Sequence, residues 1–460
     1  MREDRDRSGL GGLPPVSLLL GLAGRARRDS LVRNSMYMMG TTMVTAGLGY
    51  LYWIVAARLY APDDVGLASA LIAAMTLTSS LSSLGVGATL VQLLPGCSSG
   101  RLWSLALNAG LAVGGGAGLI AGVVVVALLP LISPSFRVVH QNVGYGGTFV
   151  LGVALWTIAG LLDSTFVAER AAGNMFMRNA LFAVLKIPLL LAPLLLVGLG
   201  PLGIFGSWTL ATAFSVLGGF ALVRRLRRGY RPGLRDIARQ IPALRASLAG
   251  NHLINLGGVA PMYLLPVFVT ARLSPADNAY FYTTWMMGSL FFMVSSSVAT
   301  SLYAEGAHGN TNAGLAHAAW ASVRVIAALL GPIMVVFLLG GRYVMALFGP
   351  DYAGHGLVLL TILVVSAVPD AITNVYVTVL RVRRRLPDAA LLNVGMALIT
   401  LVLAWFLLPP LGIAGVGWAW LGGETVGSLA VALHVIVTRR VSPHPTTKPI
   451  TAGFPPSLSE

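Results

Sequence analysis

Ala57-Arg58-Leu59-Tyr60-Ala61-Pro62-Asp63-Asp64-Val65-Gly66 closes one apolar stretch and opens the next. Half a chain later, Ala271-Arg272-Leu273 is followed in the same way by Pro275, Asp277 and Ala279. A second pair repeats the coincidence: Pro201-Leu202-Gly203-Ile204 with Gly206 and Trp208, and Pro410-Leu411-Gly412-Ile413 with Gly415 and Trp418. The members of both pairs lie close to half the chain apart, which marks a duplicated unit.

The blocks between these motifs decide what the unit is. Apolar stretches fall near 35–57, 65–94, 103–132, 145–168, 179–198 and 202–223, then near 247–270, 278–303, 314–340, 356–380, 388–408 and 411–437. Each is near the ~20 residues that a helix needs to cross the hydrocarbon core. Of the 460 residues, 56% are hydrophobic and 10% charged, whereas a soluble domain carries about 25% charged residues. Mean hydropathy is +0.79. A water-soluble globule is excluded. The sequence predicts an all-α polytopic membrane protein of twelve spans in two pseudo-symmetric six-helix lobes. Because six is even, both lobes enter from the same side, as parallel repeats with a cavity between them near the midplane.

Charge orients the spans. There are 31 Lys+Arg against 16 Asp+Glu, a net +15. In a soluble protein that excess would suggest nucleic acid. Here one set of alternate loops holds only Arg58, Arg137, Arg272 and Arg342, Lys186 and Arg324 lie within spans, and all other basic residues fall on the opposite side. That asymmetry predicts a cytoplasmic-membrane protein with both termini inside. The expected order is a cytoplasmic segment 1–33, an N-lobe 34–223, a basic linker 224–245, a C-lobe 246–437 and a disordered tail 438–460. The linker's arginines are expected to rest on anionic headgroups as a topology anchor. Val16 to Ala23 is too short to span and is not followed by a small-residue cleavage site, so no signal peptide is expected.

Several chemistries drop out. Cys97 is the only cysteine, and the histidines show no ligand spacing, so neither a metal nor another cofactor is expected. Gly198-Leu199-Gly200-Pro201-Leu202-Gly203 matches a dinucleotide fingerprint in letters only, joining two membrane helices without a strand before it. Neither lysine, Lys186 or Lys448, follows a glycine in a phosphate-binding loop.

Ala57 to Gly66, then Leu347-Phe348-Gly349-Pro350-Asp351-Tyr352, then Pro410-Leu411-Gly412-Ile413-Ala414-Gly415 occur in the order found in a known family. The sequence resembles the polysaccharide-biosynthesis flippases of the multidrug/oligosaccharidyl-lipid/polysaccharide (MOP) exporter superfamily. That resemblance implies alternating access and movement of a polyprenyl-diphosphate-linked glycan to the outer leaflet, with no enzymatic activity. The implied partners are the lipid-linked glycan, membrane lipids, and the polymerase and glycosyltransferases of the same pathway; nucleic acid is not among them. Two rivals stand beside it: a multidrug and toxin extrusion antiporter, and a polyprenyl-phosphate-dependent glycosyltransferase using Asp63 and Asp64. The loop bearing that acidic pair is too small for an acceptor site.

Asp163, Lys186, Arg324, Asp370 and Glu424 lie inside spans, where each ionised group needs a partner or a wet cavity. Asp163 and Lys186 sit on neighbouring antiparallel spans, both about 10–12 Å from the inner boundary at 1.5 Å per residue. An ion pair between them is expected, structural or functional, with Lys186 as a candidate ligand of the lipid diphosphate. Arg324 is the second candidate, since both side chains donate to phosphate oxygens. Glu424 either carries a coupling proton or neutralises Arg324. Asp370 corresponds to Asp163 in the repeat and has Asn374 one turn on; the two either line the cavity or serve helix packing. Arg58 and Arg272 end equivalent helices and either snorkel to headgroups or form an outer gate. Pro261 and Pro266, after Asn251, His252 and Asn255, predict a kinked seventh span, which is a moving hinge or a static bend.

Overall fold

Leu, Val, Ala and Ile dominate the apolar blocks, and in lipid their backbone groups must be satisfied within the segment, which dictates helices. Proline starts several of them. Pro62 follows an extended Ala61, and Pro275 and Pro350 begin their helices in the same way, at the position where a missing N–H costs nothing. A computed structural model describes residues 30–83, 85–196, 200–233, 237, 252–306 and 312–441. Fourteen α-helices and no strand occur among them.

Twelve of these helices are long: α1 (Ser30–Leu59), α2 (Pro62–Ser82), α3 (Gly100–Ile132), α4 (Val143–Ala168), α5 (Ala172–Leu196), α6 (Gly200–Leu226), α7 (His252–Arg272), α8 (Pro275–Gly306), α9 (Asn312–Met345), α10 (Pro350–Val382), α11 (Leu386–Leu411) and α12 (Ala414–Val441). Ten are both long and apolar enough to cross a membrane. In α1, Thr41 and Thr45 turn their hydroxyls back to carbonyls one turn earlier, so polar side chains are carried without breaking the helix.

The second expected span differs from its prediction. It ends at Ser82, and a short helix, Val86–Leu93, follows. Serine hydroxyls compete for the last carbonyls, Ser82 bonding Ser79 O and Ser83 bonding Ser80 O. Gly85 then takes a left-handed φ of 75° that stops the helix.

Packing follows the duplication. In the N-lobe α3 packs on α4, α5 on α6, α4 on α6, α1 on α5 and α2 on α4. The same five contacts recur in the C-lobe as α9 on α10, α11 on α12, α10 on α12, α7 on α11 and α8 on α10. The lobes meet chiefly where α2 packs on α7 and α8, and one buried cluster with Tyr52, Trp53, Phe149, Phe291 and Phe348 crosses that seam.

The 224–245 linker begins with contacts to the N-lobe. Arg227 forms an ion pair with Glu169 at 2.8 Å and lies 5.6 Å from the Trp103 ring centre. Tyr230 donates to Asn108 Oδ1, and Asn108 in turn donates to Arg231 O. The first residues after α6 are therefore tied to the ends of α3 and α4. The helix α1 begins within the segment 1–33 expected to precede the N-lobe, and α12 runs to Val441, into the expected tail. The expectations for residues 1–29, for the linker beyond 233 apart from Ile237, for the tail from 442 and for the side chains of Asn251, His252 and Asn255 lie outside the described residues.

Candidate functional site

Between the lobes lies a cavity of about 190 Å3. Trp156 and Trp208 wall it from the N-lobe and Tyr263, Tyr282 and Trp285 from the C-lobe, with Thr76 and Ser289 adding hydroxyls. Among the described residues no carboxylate, lysine, arginine or histidine lines it. The rings extend into a lattice: Trp208 contacts Tyr52, Trp53, Trp156 and Phe182, and Trp53 contacts Tyr282 across the seam at 4.7 Å. Trp208 Nε1 is buried without a hydrogen-bond partner, a donor that a ligand's oxygen could take up.

Lys186 sits behind that wall. It is 2% exposed, and its Nζ lies 4.8 Å from the Trp208 ring centre and 5.2 Å from those of Tyr52 and Phe182. Such an aromatic cage stabilises a desolvated ammonium through ring quadrupoles. The expected Asp163–Lys186 pair does not form. Asp163 is held by Arg178 in a two-pronged contact, Nε to Oδ1 at 2.7 Å and Nη2 to Oδ2 at 2.6 Å, with Asn179 donating to both oxygens. The sequence placed Arg178 at the membrane boundary, yet it is buried and its guanidinium fork fits a carboxylate as an ammonium cannot. Removing one partner of a buried pair leaves an uncompensated charge, so Arg178→Ala is expected to cost about 3 kcal/mol or more. Thermal unfolding in detergent checks this: a melting temperature equal to that of the parent protein would contradict it.

The equivalent position in the C-lobe has no such cation. Asp370 and Glu424, 4% and 8% exposed, line one cavity of about 160 Å3 together with Pro261, Asn393 and Thr400. Thr373 Oγ1 donates to Glu424 Oε2 at 2.7 Å, and Asn374 Nδ2 donates to Asp370 Oδ1 at 3.0 Å. Asp370 Oδ2 is buried without a hydrogen-bond partner. Two charged carboxylates cannot be buried together cheaply. A proton or a small cation held among these oxygen atoms would offset that cost.

Arg324 does not approach this pair. It is exposed on α9, which packs on α8 and α10, while Glu424 belongs to α12. Arg324 lines neither cavity and forms no ion pair among the described residues. Residue counting places Arg324 well inside its helix but does not give its face. Neither neutralisation of Arg324 by Glu424 nor a shared diphosphate site with Lys186 fits these positions. The helix α7 runs through Pro261 and Pro266 without interruption; Pro261 borders the carboxylate cavity.

The end of the bundle that carries Arg58 is shut. Arg58 donates from Nε to Leu347 O at 2.9 Å and from Nη2 to Ala346 O at 2.6 Å, joining the N-lobe to the α9–α10 turn. One turn away, Asn278 Nδ2 donates to Gly66 O at 2.8 Å and to Ser69 Oγ at 3.0 Å. A Cβ on Gly66 would coincide with the carbonyl oxygen of Pro275, so the paired motifs of the repeat are the surfaces on which the lobes touch. Arg272 takes a different role from its counterpart. It stacks on Trp405 of its own lobe, 4.6 Å from the ring centre, and does not bridge the seam. Nothing local in the sequence marks Arg178, the Trp208 lattice or Asn278 as a contact; only Gly66, as the small residue of a repeated motif, hints at close approach.

No protein-family model and no curated protein matches the sequence. Among solved structures, the lipid II flippase MurJ in an inward closed conformation matches with a TM-score of 0.71 at 10% identity, over 87% of each chain. An inward-facing multidrug resistance MATE family transporter of the MOP superfamily matches at 0.64 and 17% identity, over 90% of this chain and all of its own. A MOP superfamily transporter from Pyrococcus furiosus gives 0.55 at 18%, over 90% of this chain and 96% of that one. The chain has the two-lobed fold of MOP superfamily transporters; these neighbours are transporters and a flippase, not enzymes.

Proposed function

We propose that this protein is a flippase of the cytoplasmic membrane that carries a polyprenyl-diphosphate-linked glycan to the outer leaflet by alternating access. The observation that carries it is the inter-lobe cavity, walled by flat rings and hydroxyls with no carboxylate among them. Aromatic faces suit sugar rings, and scattered hydroxyls suit sugar hydroxyls. A site for organic cations would call for an acid, whereas the charged group set against the Trp208 wall is the caged Lys186. Both termini face the cytoplasm, as the loop arginines favour, so Arg58 marks the outer side. The Asp370–Glu424 cavity takes up the coupling cation, and Arg58 acts as an outer latch. Glycosyltransferases and a polymerase supply and consume the substrate.

A multidrug antiporter is the second reading, favoured by the same rings, which also attract cations. Reconstitution separates the two. Vesicles containing the protein are expected to expose a lipid-linked oligosaccharide to an external glycosidase faster than protein-free vesicles, and not to accumulate ethidium. Ethidium uptake without glycan movement would favour the antiporter.

The latch has its own test. Hydrogen bonds to a charged donor are worth about 1.5–3 kcal/mol each, so Arg58→Ala should loosen the outer seam. In a Cys97→Ser background, a cysteine at Ser69 is expected to react about tenfold faster with an impermeant thiol reagent once Arg58 is removed, since tenfold corresponds to about 1.4 kcal/mol. Unchanged reactivity would show that Arg58 does not hold the seam.

A further inference from the structure

Apart from the inter-lobe cavity, α10, α11 and α12 leave a groove of about 400 Å3 in the C-lobe. Its walls are apolar, among them Leu380, Leu392, Ile399 and Val431. Leu391 and Val426, also in the walls, are exposed and continue onto the exposed Leu398, Leu429 and Leu433, so the groove opens sideways toward lipid. It exists because α10 and α11 touch only lightly and because Gly395 contributes no side chain; a Cβ there would meet open space.

The groove has a charged mouth at one end. The turn from α10 to α11 reads Arg381-Val382-Arg383-Arg384-Arg385, and all four arginines are exposed. Asp388 answers only one of them, pairing with Arg385 at 2.6 Å. From Asp388 to Ile399, α11 rises about 16 Å at 1.5 Å per residue, close to half of a ~30 Å hydrocarbon core. The groove thus runs the depth of one leaflet, from headgroup level to the midplane.

We infer that this groove binds one anionic phospholipid, with an acyl chain along the α10–α11–α12 walls and its phosphate among Arg383, Arg384 and Arg385. The apolar walls would take the chain of any lipid. Four arginines against one aspartate select a net negative headgroup. The site does not depend on which substrate the lobes carry. It adjoins the carboxylate cavity, since Met396 lines both, and a bound chain backs this flexible partition from the side opposite Glu424.

Arginines that merely fix topology would need no groove, and the test turns on that difference. The purified full chain is titrated with phosphatidylglycerol and with phosphatidylcholine, and retained lipid is read by native mass spectrometry. Phosphatidylglycerol is expected to be retained at concentrations at least about tenfold lower. The double variant Arg384→Gln/Arg385→Gln should bring it to the phosphatidylcholine level. Gly395→Trp should abolish retention although every arginine remains, with Gly395→Leu as the milder filler if the tryptophan variant melts earlier. Equal retention of both lipids by the parent protein would overturn the proposal. So would an undiminished preference in a folded Gly395 variant, because surface arginines alone would then account for it.

Discussion

Replacing Glu424 by Gln, or Asp370 by Asn, is expected to abolish cation-driven transport while leaving the protein folded. Both carboxylates are buried in one cavity, and neither has a basic partner among the described residues. A buried acid with that surrounding costs stability when charged, and the carboxamide removes the cost. Gln can still accept the Thr373 hydroxyl that now bonds Glu424 Oε2. Melting temperature should therefore hold or rise, whereas the rate of transport under an imposed cation gradient should fall by about 5- to 150-fold, the span of a coupling free energy of about 1–3 kcal/mol. Asp163→Asn makes the contrasting control. Its carboxylate is clamped by Arg178, so its loss should strand a buried guanidinium and show as lost stability, not as uncoupling. Transport by Glu424→Gln that still follows the gradient would place coupling elsewhere.

Gly66→Val is expected to have the second large effect, by a steric route. At Gly66 the α2 backbone approaches α8 so closely that a Cβ would occupy the position of the Pro275 carbonyl oxygen. That oxygen belongs to backbone at the start of a helix and cannot swing aside as a flexible side chain could. Overpacking of this kind costs about 1–3 kcal/mol where neighbours can shift and more where they cannot. The cost falls only on the state in which the lobes touch here. The closed state should then lose about 100-fold or more in population relative to the open one, and its hydrogen bonds from Asn278 to Gly66 O and Ser69 go with it. A cysteine at Ser69 in a Cys97→Ser background should become fully reactive from the outer side, and transport should stop for want of the closed half of the cycle. A seam that stays unreactive in Gly66→Val would mean that the lobes do not part there.

These two sites show what the residues disclosed in one dimension and what they withheld. The repeat of Ala57 to Gly66 in Ala271 to Ala279 was legible, and with it the six-plus-six arrangement, because duplication and hydropathy are properties of order along the chain. The meeting of those two motifs face to face was not, since it depends on how the lobes pack. Asp163 and Asp370 could be matched as equivalent positions by counting. Their different environments could not be read, because Arg178 and Glu424 come from other helices, and which face of a helix looks inward is decided by neighbours. Arg324 illustrates the same gap: residue counting places it well inside its helix but does not give its exposure. In lipid, hydropathy loses the contrast between inside and outside faces that makes soluble helices amphipathic, so a long apolar helix such as α9 carries little signal about its orientation. The aromatic lattice around Trp208 was scattered over α1, α4, α5, α6 and α8 and left no local motif.

The proposed activity is tested most directly by the leaflet in which lipid-linked glycan accumulates when the protein is depleted from cells. Glycan inaccessible to external glycosidase in intact cells, and accessible once inverted vesicles are prepared, should build up over the first generations after depletion. A lipid-linked pool that stays constant in amount and sidedness, with cells instead becoming sensitive to organic cations, would contradict glycan flipping and leave the antiporter.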